Sequence, residues 1–280
     1  MTAAIEALMT RLSSVVRTLL VVVWLPLMSM QSAVVTASEM VADGQCELVF
    51  GWDVVKPYQY WGEDGKVTGL QIDLVKAIVS KSGCRIKFRN GTWHTLLGDL
   101  KQGNIDFMAD MTVSDERKEY GIFSDAYRRE SYTLYVRKSD YLKYIEMDLE
   151  TMLEGGFRIG LTRGYLYNNK IEELKIQPRF KSQFSYVDSN FKNYEKLLND
   201  KVDGFLEDSM VAGFTLRDRK VQELVKGMPF EFYTGEISFL FSKKNVSLEY
   251  VKRFNEAMEK VKKTDEYEKA WIRGLQTRDD

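Results

Sequence analysis

The chain has 280 residues, 44% hydrophobic, 29% charged and 12% aromatic with four prolines, which supplies a large core and excludes disorder as a description of the whole. Chains begin to subdivide at roughly 250 to 300 residues, so one or two domains are expected. Forty Lys plus Arg offset forty-one Asp plus Glu, a net charge of -1 that argues against a partner held mainly by long-range field, nucleic acid above all.

The first element is a leader. Arg11 and Arg17 precede an apolar run from Leu19 to Met28, and the chain then turns to Gln, Ser, Ala and Thr. A basic start, a short apolar stretch and a small-residue exit read as a secretory signal peptide over residues 1–37, cleaved after Ala33 or Ala37. A membrane anchor needs roughly 20 apolar residues, about twice what this run offers.

Export gives the two cysteines a meaning. Cys46 stands just before Leu48, Val49 and Phe50, and Cys84 just before Ile86 and Phe88, so each opens an expected strand. If those strands are parallel neighbours, their starts bring the sulfurs within reach of a disulfide, Cys46–Cys84, in a compartment where it persists.

From there short apolar runs alternate with stretches of helical period. Strands are expected at 48–51, 86–88 and 105–108, with a helix after the turn within 67–83 and another at 93–103. Strand, helix, strand, helix, strand at this spacing implies a parallel sheet with right-handed crossovers. The second part repeats the style, with strands at 157–161, 184–187 and 205–206 and helices at 168–174, 190–198 and 210–216. Tyr132 to Arg137 and Ile237 to Phe241 flank that unit as two extended connections, and a helical region from Leu248 to about Leu275 returns to the first lobe. The expected organisation is lobe 1 from 46–137 plus 237–275, lobe 2 over 142–232, and a tail at 276–280. Ligands of such α/β units bind in the cleft outside the carboxyl ends of the strands.

Several segments together carry a resemblance: Gly69-Leu-Gln-Ile-Asp-Leu74, Trp93 with Leu97, Gly103-Asn-Ile-Asp106, Met111-Thr-Val-Ser-Asp-Glu-Arg117 and Phe123-Ser-Asp-Ala-Tyr127. The chain resembles the bacterial extracellular solute-binding proteins of family 3, receptors that deliver polar amino acids to ABC importers, from about Cys46 to Leu275. The resemblance implies a two-lobed periplasmic-binding-protein-like fold of type II, α/β, with two hinge strands and central mixed sheets flanked by helices. It implies a periplasmic location, a small polar amino-acid-like solute and an ABC permease as partners, and no enzyme activity or cofactor.

It also implies the site. Arg117 is expected on the ligand carboxylate, where its planar donor fork fits bidentately, with a hydroxyl from Thr112. Asp208 is expected to receive the ligand ammonium, while Glu207 beside it caps a helix or faces solvent. Arg117 also has a plainer reading, as a surface residue paired with Glu116 or Glu119. Tyr58 and Trp93 are the first choice of enclosing aromatics, with Tyr60 and Tyr127 behind them. The chain departs from the family at Thr162-Arg-Gly-Tyr-Leu166, where hydroxyl donors are missing. Gly164 and the amides after it are left to serve there, and Arg163 either meets a second ligand carboxylate or faces solvent.

The single histidine, His94, and two cysteines provide no His/Cys cluster for zinc, and no Walker loop, GxSxG or HExxH motif occurs. The alternative is an exported cyclohexadienyl dehydratase-like enzyme, with Asp208, Glu207 or Glu236 as general acid. A ligand-binding sensor protein is a third reading.

Overall fold

The computed structural model describes residues 46–267. The segment expected as a signal peptide, the tail and the end of the last helical region lie outside the described residues. Among those described, no helix is long and apolar enough to cross a membrane.

The chain starts with β1 (Glu47–Trp52), a small hairpin of β2 (Tyr60–Trp61) and β3 (Val67–Thr68), and α1 (Leu70–Lys81). Next come β4 (Arg85–Asn90), α2 (Trp93–Gln102), β5 (Phe107–Thr112), α3 (Asp115–Tyr120) and β6 (Gly121–Phe123). The ten-residue β7 (Arg128–Arg137) leads into α4 (Leu149–Glu154), β8 (Ile159–Thr162), α5 (Asn169–Ile176) and β9 (Phe184–Val187). After α6 (Phe191–Leu198), β10 (Gly204–Asp208) and α7 (Ser209–Asp218), the 18-residue β11 (Val225–Ser242) returns, and α8 (Leu248–Lys262) follows it.

The strands lie in the order β4-β1-β5-β11-β7-β10-β8-β9, with β6 added on β11. β1 is parallel to β4 and β5, and β8 is parallel to β9 and β10, as helical crossovers require. β7 and β11 run antiparallel to each other and join these two parallel sets into a mixed sheet. β11 pairs with β7 from Val225 to Ile237, then with β5 and β6, so one strand serves both lobes.

Each lobe has its own apolar core. In the first, Phe107, Phe239, Phe241 and Phe254 are fully buried, and the Phe107 and Phe241 rings stack at 5.1 Å. Ile72, Val75 and Val79 of α1 recur at three- and four-residue spacing and face this core, as do Val251, Phe254 and Met258 of α8. Each such side chain contributes about 1.5–3 kcal/mol by leaving water. The second core gathers Leu134, Ile159, Leu161, Leu206 and Ile171 around β7, β8 and β10.

Cys46 and Cys84 form a disulfide, with their Cα atoms 4.6 Å apart. It closes the amino ends of β1 and β4, whose register pairs Glu47 with Arg85. The last expected helix is interrupted: α8 stops at Lys262, and a separate three-residue helix at Asp265–Tyr267 follows.

Candidate functional site

The carboxyl ends of β1, β5, β8 and β10 converge between the two parallel sets, where they border a cleft of about 490 Å³. Its wall includes Tyr58, Trp93, Asp110, Thr112, Arg117, Arg128, Glu130, Tyr132, Tyr165, Glu207 and Asp208.

Local chemistry holds the key side chains. Ser114 caps α3 by accepting the Arg117 amide at 3.3 Å, which seats Arg117 in the first turn after β5. Arg117 is 4% exposed, and its guanidinium donates from Nη1 to the Thr112 carbonyl at 2.9 Å and from Nη2 to the Gly164 carbonyl at 3.0 Å. No carboxylate lies within ion-pair distance of it among the described residues, so the pairing with Glu116 or Glu119 is not formed. Burial draws its pKa downward, yet a guanidinium starts high enough to stay charged.

Trp93 opens α2, and Asp53 at the end of β1 accepts the Trp93 amide at 3.0 Å and the Val54 amide at 2.7 Å. Burial raises Asp53 to about 6 against the lowering effect of these two amides. The Trp93 indole donates to the Gly164 carbonyl at 3.0 Å, and its ring meets Tyr165 edge-on at 5.4 Å. Gly164 sits at φ 79°, in the left-handed region that suits glycine. It therefore serves through its carbonyl as an acceptor, and the Tyr165 amide is spent on the Thr162 carbonyl of the same turn. Of the expected amide donors, that of Tyr165 is engaged within the turn, while Leu166 lines the cleft and the Gly164 carbonyl joins the lobes.

Asp208 caps α7, accepting the Met210 and Val211 amides on Oδ1 at 2.8 and 3.1 Å. Its Oδ2 lies 3.3 Å from the Tyr58 hydroxyl and 3.8 Å from Arg128 Nη1. Tyr58 thereby links the first lobe to Asp208 of the second, and the Arg128 guanidinium stacks over its ring at 5.0 Å.

Arg128 was not among the expected site residues, and it organises the acidic side of the cleft. It donates to Asp110 Oδ1 and Glu130 Oε1, both at 2.9 Å. Asp110 holds φ 58°, uncommon outside glycine, and its Oδ1 also takes the Tyr127 hydroxyl at 2.7 Å. Burial raises Glu130 to about 7, with Arg128 opposing.

Glu207, expected as a cap or a solvent-facing residue, is buried and lines the cleft. Its oxygens accept from Asn190 Nδ2 at 2.9 Å and the Asp208 amide at 3.1 Å. Burial, then the neighbouring Asp208 charge, raise it to about 8.

Four expected residues stand outside the wall: Gly164, Tyr60, Tyr127 and Arg163. Tyr127 is buried behind it, stacked on Phe239 at 4.6 Å. Arg163 donates to Asp188 at 2.8 Å and is half-exposed. Thr112 is in the wall, and its carbonyl orients Arg117.

Residues 48–273 match the model of the bacterial extracellular solute-binding proteins, family 3. The chain belongs to this family. A probable histidine-binding protein of Campylobacter jejuni is 30% identical over 217 residues, 74% of this chain and 76% of the relative. The arginine-binding extracellular protein ArtP of Bacillus subtilis is 25% identical over 233 residues, 79% of this chain and 86% of the relative. Among solved structures, an ancestral arginine-binding protein bound to arginine superposes with a TM-score of 0.69 at 25% identity, covering 83% of this chain and 99% of that one. The family 3 chain thus has the α/β type II periplasmic-binding-protein fold, two-lobed, with β7 and β11 as hinge strands.

Proposed function

We propose that the protein is an exported receptor that closes its two lobes on an amino acid, most favourably one with a cationic side chain, and passes it to an ABC permease. The observation that carries this reading is the division of charge in the cleft. Arg117 stands at one end as a buried cation that donates to two carbonyls and pairs with no carboxylate among the described residues, and Asp208 stands at the other on the opposite lobe. An α-carboxylate fits the Arg117 fork, and an α-ammonium fits Asp208. The wall holds four carboxyl groups, Asp110, Glu130, Glu207 and Asp208, against two guanidiniums, Arg117 and Arg128. Burial pushes Glu130 and Glu207 toward their protonated forms, and a cationic side chain beside them favours their ionisation where a neutral one does not. Trp93, Tyr132 and Tyr165 add faces for a long side chain or a planar cation. The names of the histidine- and arginine-binding relatives agree with this charge, and the disulfide agrees with an oxidising compartment such as the periplasm.

The test is a thermal-shift screen of the signal-free protein against amino acids, dicarboxylates and polyamines, since a ligand that binds only the native state raises its melting temperature. Saturable shifts are expected with arginine, lysine or histidine. In calorimetry, Arg117→Ala should weaken the best of these by about 2–3 kcal/mol, the scale of a lost buried charge-assisted contact. Affinity unchanged in a folded Arg117→Ala protein would refute the carboxylate assignment.

An exported dehydratase has one observation in its favour: Glu207 is a cleft-facing carboxyl whose pKa burial raises to about 8, in the direction a general acid needs. Glu236 is exposed and outside the wall, and Asp208 is engaged as a helix cap. Product formation from prephenate or arogenate, lost in Glu207→Gln, would establish the enzyme, and its absence leaves the receptor.

A further inference from the structure

The four carboxyl groups of the cleft wall are not equivalent. Arg128 reaches Asp110 and Glu130 at 2.9 Å and Asp208 at 3.8 Å, so one guanidinium partners three of them. Glu207 is the fourth. It is 2% exposed, and among the described residues no Lys, Arg or His lies within ion-pair distance of it. Asn190 Nδ2 and the Asp208 amide, which donate to it, are neutral.

The groups facing it from the neighbouring elements do not supply a cation either. β10 contributes Asp208, and β7 contributes Glu130 and Tyr132. The loop after β8 contributes Tyr165 and Tyr167, and α6 contributes Tyr194. A buried carboxyl with acidic and phenolic neighbours stays ionised only at high cost, so it holds a proton or acquires a cation.

We propose that Glu207 is the charge-reading residue of the cleft: it carries a proton in the unliganded protein and releases it to solvent when the ligand's cationic side chain takes the proton's place. This rests on the receptor reading above and adds a residue and a stoichiometry to it. The direction follows from linkage. Placing a positive charge beside Glu207 stabilises its ionised form, so its pKa falls on binding and a proton leaves. Its starting point near 8 puts the exchange in the neutral range. Affinity for a cationic amino acid, relative to a neutral one with the same α-groups, then rises with pH up to about 8 and levels off above, where Glu207 is already ionised. A neutral ligand gains nothing from ionisation and shows no such rise.

L-arginine and its uncharged isostere L-citrulline separate these cases, titrated calorimetrically at pH 7 in phosphate and in Tris, whose ionisation enthalpies differ. The expected result at pH 7 is release of roughly 0.5–1 proton per arginine and close to none per citrulline, and at pH 9.5, where both ligands share the proton uptake of their α-amino groups, the difference between them should vanish. In Glu207→Gln the arginine-linked release should disappear, and the preference for arginine over citrulline should fall at least tenfold. Using the ratio of two ligands removes any general loss of binding in the variant. Proton release that persists in Glu207→Gln but is lost in Glu130→Gln would overturn the assignment to Glu207. Arginine binding with no proton released would overturn the exchange and leave the receptor intact. Failure of every cationic amino acid to bind while a neutral one does would overturn the proposal and the cationic preference together, and failure of all amino acids would overturn the receptor reading itself.

Discussion

Glu207 makes a second prediction, separate from any ligand. Its folded-state pKa is about 8, above the ordinary 4.5 that it regains on unfolding. Folding therefore costs more once the unfolded carboxyl has ionised: stability is fully present below about pH 4.5 and is lost as pH rises through about 8. Glutamine does not titrate, so the stability of Glu207→Gln relative to the parent should increase by roughly 2–4 kcal/mol between pH 5 and pH 9. Urea unfolding at the two pH values measures this difference, and a constant offset would show that Glu207 is ionised throughout. At this scale the motif made Arg117, Asp208, Tyr58 and Trp93 legible in the sequence, because each follows a strand or opens a helix at a fixed place. Arg128 and Glu130 were not legible, and Glu207 was read only as a cap, a solvent-facing residue or a general acid. They lie inside β7 and β10, where burial against the other lobe, and not local pattern, decides which charged residue faces the cleft.

Among the elements, the turn after β8 holds the lobes together most directly, since the Gly164 carbonyl accepts from both Trp93 and Arg117. A Cβ at Gly164 would stand 3.1 Å from Trp93 Cδ1 and 3.1 Å from Leu97 Cδ1, in a backbone region costly to other residues. Gly164→Ala should therefore strain this joint by about 1 kcal/mol and weaken ligand binding several-fold while circular dichroism stays unchanged. Equal affinity in the variant, measured by calorimetry, would mean that the joint takes no part in closure. Most elements were legible from apolar spacing, as with β9, expected and found at 184–187. The exceptions have physical causes. α3 is six residues of charged and polar character held by the Ser114 cap, too short for a periodic signal. β11 begins at Val225, twelve residues before the expected Ile237, because that stretch alternates with exposed residues and is held by pairing to β7, which no local pattern records.

For the molecule as a whole, the placement of the disulfide separates stability from function. Cys46–Cys84 ties the amino ends of β1 and β4, and the cleft forms at the carboxyl ends of the strands, with Asp53 and Trp93 following β1 and β4 on that side. The crosslink spans 38 residues, a loop whose closure restricts the unfolded chain by about 2–4 kcal/mol. Replacing both cysteines with serine should lower stability by that amount, read from the urea midpoint, since both parents and variants unfold from the same first-lobe core. Ligand affinity should stay within about twofold, because the residues that set the wall are held by Asp53, Ser114 and Arg128 and not by the crosslink. A large loss of affinity in the folded double variant would show that strain at one end of the sheet reaches the other through β1. Unchanged affinity with reduced stability would show that the first lobe transmits nothing along its strands, and that the cleft depends on the hinge strands and on the side chains that cross between the lobes.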